Sequence, residues 1–329
     1  MKTALITGIN GQDGAHLAEL LIGRGYGVLG LARPREESRP TAHATVPAGL
    51  EILYADLRDE EMLRKVLKEH APQEVYNLAA RASSSQLFDQ PLLTADVNGL
   101  AVVRLLEAIR TVKPTIRFCQ ASSSEMFGNA LESPQSETTQ FRPRNPYGVA
   151  KSFAHEMVGM YRAHFGLFAC SAILFNHESA RRGPEFVTRR ITRSVALIEA
   201  GVANSLRLGS LDATRDWGFA GDYVYAMWRM LQVSVPADYV IATGEIHSVR
   251  EFCEIAFARV GLDYRKFVHT HPNSNFVPEA VPLVGNAAKA KSELGWSPTV
   301  NFQQLVHSMV DADIDLLARE GIANFGKSE

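Results

Sequence analysis

Thr3-Ala4-Leu5-Ile6-Thr7 runs directly into Gly8-Ile9-Asn10-Gly11-Gln12-Asp13-Gly14, and the reading of these twelve residues decides the fold. The first five are apolar or β-branched without helical period, so they read as a buried strand of a parallel sheet, too short for a spanning or secretory segment. A periodic apolar stretch from Leu17 through Leu21 follows and stops at Gly25. Strand, glycine turn and helix start in that order lift a glycine motif above chance. The glycines let the backbone approach a pyrophosphate, which then sits on the positive end of the helix. A second strand, Tyr26 to Leu31, ends beside Arg33 and Arg35. An NAD-preferring protein places a carboxylate there for the ribose 2′-hydroxyl, whereas an arginine fork matches a 2′-phosphate. NADP is therefore favoured over NAD; the alternative is that both arginines are solvated loop residues.

The chain has 329 residues, 46% of them hydrophobic, enough for one large or two unequal domains with a real core. A formal charge of −2 argues against nucleic acid or a membrane surface as the main partner. Cys119, Cys170 and Cys253 are odd in number and lack metal-ligand spacing, which reads as reduced, buried thiols of a cytoplasmic protein without a metal. No secretory segment is expected before the first strand. Disorder is expected over Pro34 to Pro47 and in the last few residues.

Further strands read at Leu50 to Tyr54, Val75 to Ala79, Ile116 to Ser122 and Ala169 to Phe175, with helical segments between them. This alternation predicts an α/β fold, a Rossmann-type doubly wound parallel sheet with ligands at the carboxyl ends of its strands. After Phe175 the pattern loosens into a smaller C-terminal lobe, with Tyr239 to Thr243 returning to the sheet and a last helix from Phe302 to Arg319. The expected division is a cofactor-binding domain of residues 1–174 and 214–243 and a substrate-binding lobe of residues 175–213 and 244–329. Trp217 and Trp228 read as core residues rather than stacking platforms.

Asn145-Pro146-Tyr147-Gly148-Val149-Ala150-Lys151 holds a Tyr-x-x-x-Lys pair about 20 residues beyond Ser122-Ser123-Ser124-Glu125. Four positions on a helix put phenol and ammonium on one face, ~6 Å apart in rise. The ammonium is then expected to lower the phenol from its ordinary value of about 10, so that the ring oxygen can accept a proton from an alcohol. Alone the pair is weak, because an amphipathic surface helix produces it by chance.

Several blocks together resemble the GDP-mannose 4,6-dehydratase family of extended short-chain dehydrogenases/reductases. They are Gly8 to Gly14, Gln120-Ala121-Ser122-Ser123-Ser124-Glu125, Pro146-Tyr147-x-x-x-Lys151, Leu174-Phe175-Asn176-His177-Glu178-Ser179-x-Arg181-Arg182-Gly183, and Leu211-Asp212-Ala213-x-Arg215-Asp216-Trp217. Tyr239 to Glu245 and Ser248 to Phe252 extend the resemblance over nearly the whole chain. It implies oxidation of a hexose C4 hydroxyl, loss of water across C5 and C6, and return of the same hydride to C6.

In that scheme Tyr147 takes the C4 hydroxyl proton, Lys151 holds the cofactor ribose, and Ser123, where threonine is usual, hydrogen-bonds the C4 oxygen. Glu125 removes the C5 proton and protonates the departing C6 hydroxyl. Gly8, Gly11, Gln12, Asp13, Gly14, Arg33, Asp56, Leu57, Leu78, Ala79, Ala80, Tyr147, Lys151, His177 and Arg182 fall on positions implied to touch NADP. Asn176, Val187, Arg190 and Arg215 fall on those implied to hold the diphosphate of a GDP-sugar, Arg190 replacing a lysine.

The chain also departs from the pattern. The family's arginine-serine loop gives way to Arg33-Pro34-Arg35-Glu36-Glu37, so homodimer and homotetramer both stay open. Gln-Ser-His becomes Arg81-Ala82-Ser83, an expected tyrosine is Leu93, and an Arg-Pro-x-Glu block reads Val277-Pro278-Glu279. Small residues at 82 and 83 suggest room for a longer C6 substituent, as in GDP-manno-heptose. A GDP-4-keto-6-deoxy-sugar reductase of the same fold, and a non-catalytic NADP-binding scaffold, are the competing readings.

Overall fold

The computed structural model describes residues 1–33, 49–82, 88–270, 281–322 and 325. Strand β1 (Thr3–Thr7) leads into helix α1 (Gln12–Gly23) and β2 (Gly27–Ala32); β3 (Leu50–Tyr54), α2 (Glu60–His70) and β4 (Glu74–Asn77) follow. Helix α3 (Pro91–Ala95) passes through a π-helical turn, Asp96–Leu100, into α4 (Ala101–Val112), and β5 (Arg117–Ser123) ends in a 3₁₀ turn, Ser124–Met126. Then come α5 (Pro146–Phe165), β6 (Ala169–Leu174), β7 (Asn176–Glu178), α6 (Val187–Glu199), β8 (Leu206–Leu208), β9 (Thr214–Arg215) and β10 (Trp217–Phe219). The remainder is α7 (Ala220–Met230), β11 (Tyr239–Ile241), β12 (His247–Ser248), α8 (Val249–Ala258), β13 (Val268–Thr270), α9 (Ala288–Leu294) and α10 (Phe302–Glu320).

Seven strands form one sheet in the order β11-β6-β5-β4-β1-β2-β3, every neighbouring pair parallel. Chain order reverses between β1 and β4, and that crevice at the carboxyl ends is where an open α/β sheet binds ligands. One face is covered by α1, α7 and α9 through Leu17, Leu21, Met227, Met230 and Leu294. The other is covered by α2, α4 and α5 through Leu63, Leu67, Leu105, Leu106 and Val158. Burial on both faces is why β1, β2 and β11 read as apolar runs without helical period. A third core joins α6, α8 and α10 around Trp217, which packs between Phe252 and Phe302.

Strands β1 and β3 keep their expected limits, and the other expected strand ends shift by at most two residues, as element ends generally do. One shift matters: β5 runs on through Ser123, so that hydroxyl sits on the strand end rather than on the following loop. Trp228 is half-buried against the first core, its Nε1 donating to the Tyr26 hydroxyl at 3.2 Å. Leu93 lies half-buried on α3. Pro34 to Pro47 with Arg35, Ser83, and Val277 to Glu279 fall outside the described residues. Among the described residues no helix is long and apolar enough to cross a membrane.

Candidate active site

The turn after β1 is shaped by what its glycines leave out. Gly8 has φ +69°, and a Cβ there would lie 2.7 Å from the Ala79 amide nitrogen. At Gly14 a Cβ would lie 2.5 Å from the Gly8 carbonyl oxygen. The turn is therefore pressed onto the Leu78-Ala79 segment and onto α1. Thr7 completes the junction, its Oγ1 accepting from the amides of Leu78 and Ala79, both at 3.1 Å. The N-terminus of α1, without a side-chain cap, and a backbone pared of side chains at Gly8 and Gly14 fit a dinucleotide pyrophosphate. At the far edge, Arg33 is exposed after β2 and its charge helps hold the Asp56 carboxyl low. The larger cause is Arg58, which clamps Asp56 with Nε at 2.9 and Nη2 at 2.5 Å. Leu57 is buried in the second core with Ala79 packed against it, while Leu78 packs on the first.

A buried polar chain crosses the carboxyl ends of β1, β4 and β5. Thr7 Oγ1 donates to Asn77 Oδ1 at 2.6 Å, and Asn77 Nδ2 donates to Gln120 Oε1 at 2.7 Å. Gln120 Nε2 donates to the Ala121 carbonyl at 2.9 Å, which also accepts from Lys151 Nζ at 2.6 Å. Each amide orientation is settled by its neighbours, so the chain ties the glycine turn to the lysine of α5.

The four residues expected to carry the chemistry meet where β5 ends and α5 begins. Asn145 caps α5, its Oδ1 accepting from Gly148 N at 2.7 Å, and Pro146 follows at the first helical position. Ser123 and Tyr147 are hydrogen-bonded. Lys151 Nζ lies 5.7 Å from the Tyr147 ring centre. Burial pushes the Tyr147 phenol up to about 12; the Ser123 hydrogen bond opposes that and the Glu125 charge adds to it. Burial brings Lys151 down to about 8, against the charge of Asp13. The expected depression of the phenol by the ammonium is therefore not what the protein alone does. Lys151 is spent on the Ala121 carbonyl, and desolvation dominates both groups.

Asp13 and His177 form the second focus. His177 Nε2 lies 2.9 Å from Asp13 Oδ2 and Nδ1 lies 2.7 Å from the Phe175 carbonyl. Facing a carboxylate and a carbonyl, both nitrogens are placed to donate, an arrangement that favours the imidazolium. Burial pulls His177 down, but the charge and hydrogen bond of Asp13 outweigh it and the net shift is upward. Burial raises Asp13, and His177 reverses this to hold it at about 2. Gln12 Nε2 bridges Asp13 Oδ1 and the His177 carbonyl, both at 3.1 Å, and Gln12 Oε1 accepts from Ser179 Oγ. Arg182 sits 3.2 Å from Glu178 with its guanidinium over Phe186, and its charge reaches Tyr147, Asp13 and His177.

The residues expected to hold a diphosphate lie on the third core's side. Asn176 opens β7, Val187 opens α6, and exposed Arg190 donates to the Arg207 carbonyl at 2.8 Å. Arg215 ends β9 beside Asp216, whose buried carboxylate accepts from Thr243 N and Oγ1, Gly244 N and Gly285 N at 2.6–3.2 Å. Sequence reasoning passed over Asn77, Gln120, Asn145 and Asp216. Only Asn145 carried a local signal, an Asn before Pro at a helix start.

A family model described as GDP-mannose 4,6 dehydratase matches residues 5–309. GDP-mannose 4,6 dehydratase 2 of Arabidopsis thaliana is 47% identical over 98% of this chain and 89% of its own. GDP-mannose 4,6 dehydratase of Homo sapiens is 44% identical over 96% of this chain and 92% of its own. Among solved structures, the Thermus thermophilus UDP-glucose 4-epimerase complex with NAD is similar at a TM-score of 0.82 and 27% identity, over 94% of this chain and 98% of that one.

Proposed function

The chain belongs to the GDP-mannose 4,6-dehydratase family, and from that premise we infer that it is a hydro-lyase converting GDP-mannose to GDP-4-keto-6-deoxymannose and water. The observation that carries this reading is the meeting of Ser123, Glu125 and Tyr147 at the end of β5. A C4 oxidase or epimerase has no use for Glu125; an elimination does.

A nicotinamide dinucleotide is the cofactor, held by Gly8, Gly11, Gln12, Asp13, Gly14, Asp56, Leu57, Leu78, Ala79, Ala80, Lys151, His177 and Arg182. When bound, it supplies a hydride acceptor and later donor, and its positive ring favours the phenolate. Tyr147 takes the proton of the C4 hydroxyl, and the Ser123 hydroxyl holds the C4 oxygen in line. Glu125 removes the C5 proton, made acidic by the C4 ketone, and passes it to the C6 oxygen so that water leaves. NADP is the form we propose, on the strength of Arg33 beside Asp56. A lower Kd for NADP than for NAD, lost in Arg33→Ala, supports it; equal affinities refute it.

Asn176, Val187, Arg190 and Arg215 hold the diphosphate, and the division into residues 1–174 with 214–243 and residues 175–213 with 244–329 follows those two duties. Val149, Phe153 and Met160 are exposed along one stripe of α5 beside exposed Leu100, which supports a homodimer through that face as the minimum assembly. Three buried, unpaired thiols support a cytoplasmic protein.

Product mass decides the reaction: a loss of 18 mass units without net change at 340 nm is expected, with deuterium moving from C4 to C6 of the same molecule. Net NADPH consumption indicates the reductase instead, and no turnover the scaffold. GDP-manno-heptose belongs in the same assay, and faster turnover of the heptose makes it the substrate.

A further inference from the structure

We propose that Asn145 is a positioning residue for the elimination step, fixing one oxygen of Glu125 so that the other exchanges the proton; the inference rests on the dehydratase reading above. Asn145 Nδ2 donates to Glu125 Oε2 at 2.8 Å, while its Oδ1 accepts from Gly148 N at 2.7 Å. The two contacts settle the amide orientation, because a flip would set a carbonyl oxygen against a carboxylate. One side chain thereby ties the acid–base carboxylate to the first turn of the helix carrying Tyr147 and Lys151. The backbone repeats the coupling. A Cβ on Gly148 would lie 2.5 Å from the Glu125 carbonyl oxygen, and Glu125 N donates to Ser123 Oγ at 3.2 Å.

With Oε2 committed to Asn145, Oε1 is the oxygen that takes the C5 proton. The C5–H electron pair becomes the C5–C6 double bond, the C6–O bond breaks, and the proton returns to the leaving oxygen as water. The charges of Glu125, Arg182 and Asp13 all act on Tyr147, and that of Asp13 acts on Lys151. Asn145 is the neutral member, and it touches the carboxylate directly.

Asn145→Asp keeps a helix cap of equal quality but sets an acceptor against Oε2. With the cofactor-loaded enzyme and GDP-mannose, it is expected to lower kcat for dehydration while leaving KM unchanged, the sign of an interaction used in the reaction step rather than in binding. Dehydration at neutral pH is expected to fall at least about tenfold, with the thermal midpoint within about 2 °C of the parent. Asn145→Ser also keeps a cap but loses the reach to Glu125; it is expected to lower kcat for dehydration as well, again with KM unchanged. Added to Glu125→Gln, Asn145→Ser is expected to produce no further loss, since it acts through the group already removed. Additive losses, or an Asn145→Asp enzyme with the parent kcat, overturn the proposal. A parent enzyme that fails to dehydrate GDP-mannose refutes the underlying reading instead, so the two failures are distinguishable.

Discussion

β4 carries a buried polar side chain at each end, and the fold uses the two in opposite ways. At the amino end Glu74 is fully buried, paired with Lys2 and accepting from the Tyr76 hydroxyl at 2.7 Å and Gln232 Nε2 at 3.0 Å. At the carboxyl end Asn77 is equally buried, but its hydrogen bonds run through Gln120 and Ala121 to an ammonium, and through Thr7 to the glycine turn. Both ends obey the rule that buried polar groups need partners. The first cluster closes on itself and can only stabilise. The second ends on groups that face the site, so its hydrogen bonds stabilise and position at once.

The sharpest test of that contrast is at the open end. Tyr147→Phe is expected to lower kcat by about 10²–10⁴-fold, the range for losing a positioned acid or base, while urea unfolding stays within about 0.5 kcal/mol of the parent. At the closed end Glu74→Ala is expected to reverse the pattern. It should lower stability by about 2–3 kcal/mol, below the full value for a broken buried pair because Lys2 is partly exposed, with kcat per folded molecule unchanged. A fall in kcat would mean that the two ends communicate.

Asn77→Ala sits between these cases. A loss of about 1–2 kcal/mol from unpaired Thr7 and Gln120 is expected, together with weaker cofactor binding measured by titration. Stability loss alone would place Asn77 with Glu74.

The smallest effect is the pH dependence of the Asp13–His177 pair. Asp13 is held at about 2, below its unfolded value, so its contribution is present above about pH 4 and is lost as pH falls toward 2. His177 is raised, so its contribution is complete below about pH 6.5 and is lost as pH rises through the higher folded value. The stability advantage over His177→Gln is therefore expected to peak between about pH 4 and 6.5, at roughly 1–2 kcal/mol, by urea titration across pH. A flat difference would remove the imidazolium.

Local pattern carried the sheet far. Apolar runs mark β1, β2 and β11 because both faces are covered, and the turn glycines follow from contacts under 3 Å that only a missing Cβ permits at residues 8 and 14. The proposed catalytic cluster was visible as spaced residue types, since helical periodicity places Tyr147 and Lys151 on one face. Their protonation was not. The sequence reading had the ammonium lowering the phenol, whereas the structure spends Lys151 on Ala121 and raises Tyr147 by desolvation. Nor could spacing reveal that Gln120 and Asn77 are neighbours, since parallel pairing joins residues 43 apart.

What the chain determined alone is what short-range sterics and periodicity encode: the strand–glycine–helix start, the alternation of elements and the side-chain types at strand ends. Tertiary structure decided which of those side chains touch, which oxygen of Glu125 is held, and which groups gain or lose protons. Those depend on desolvation and on partners brought from far along the chain, and no local window of sequence contains either.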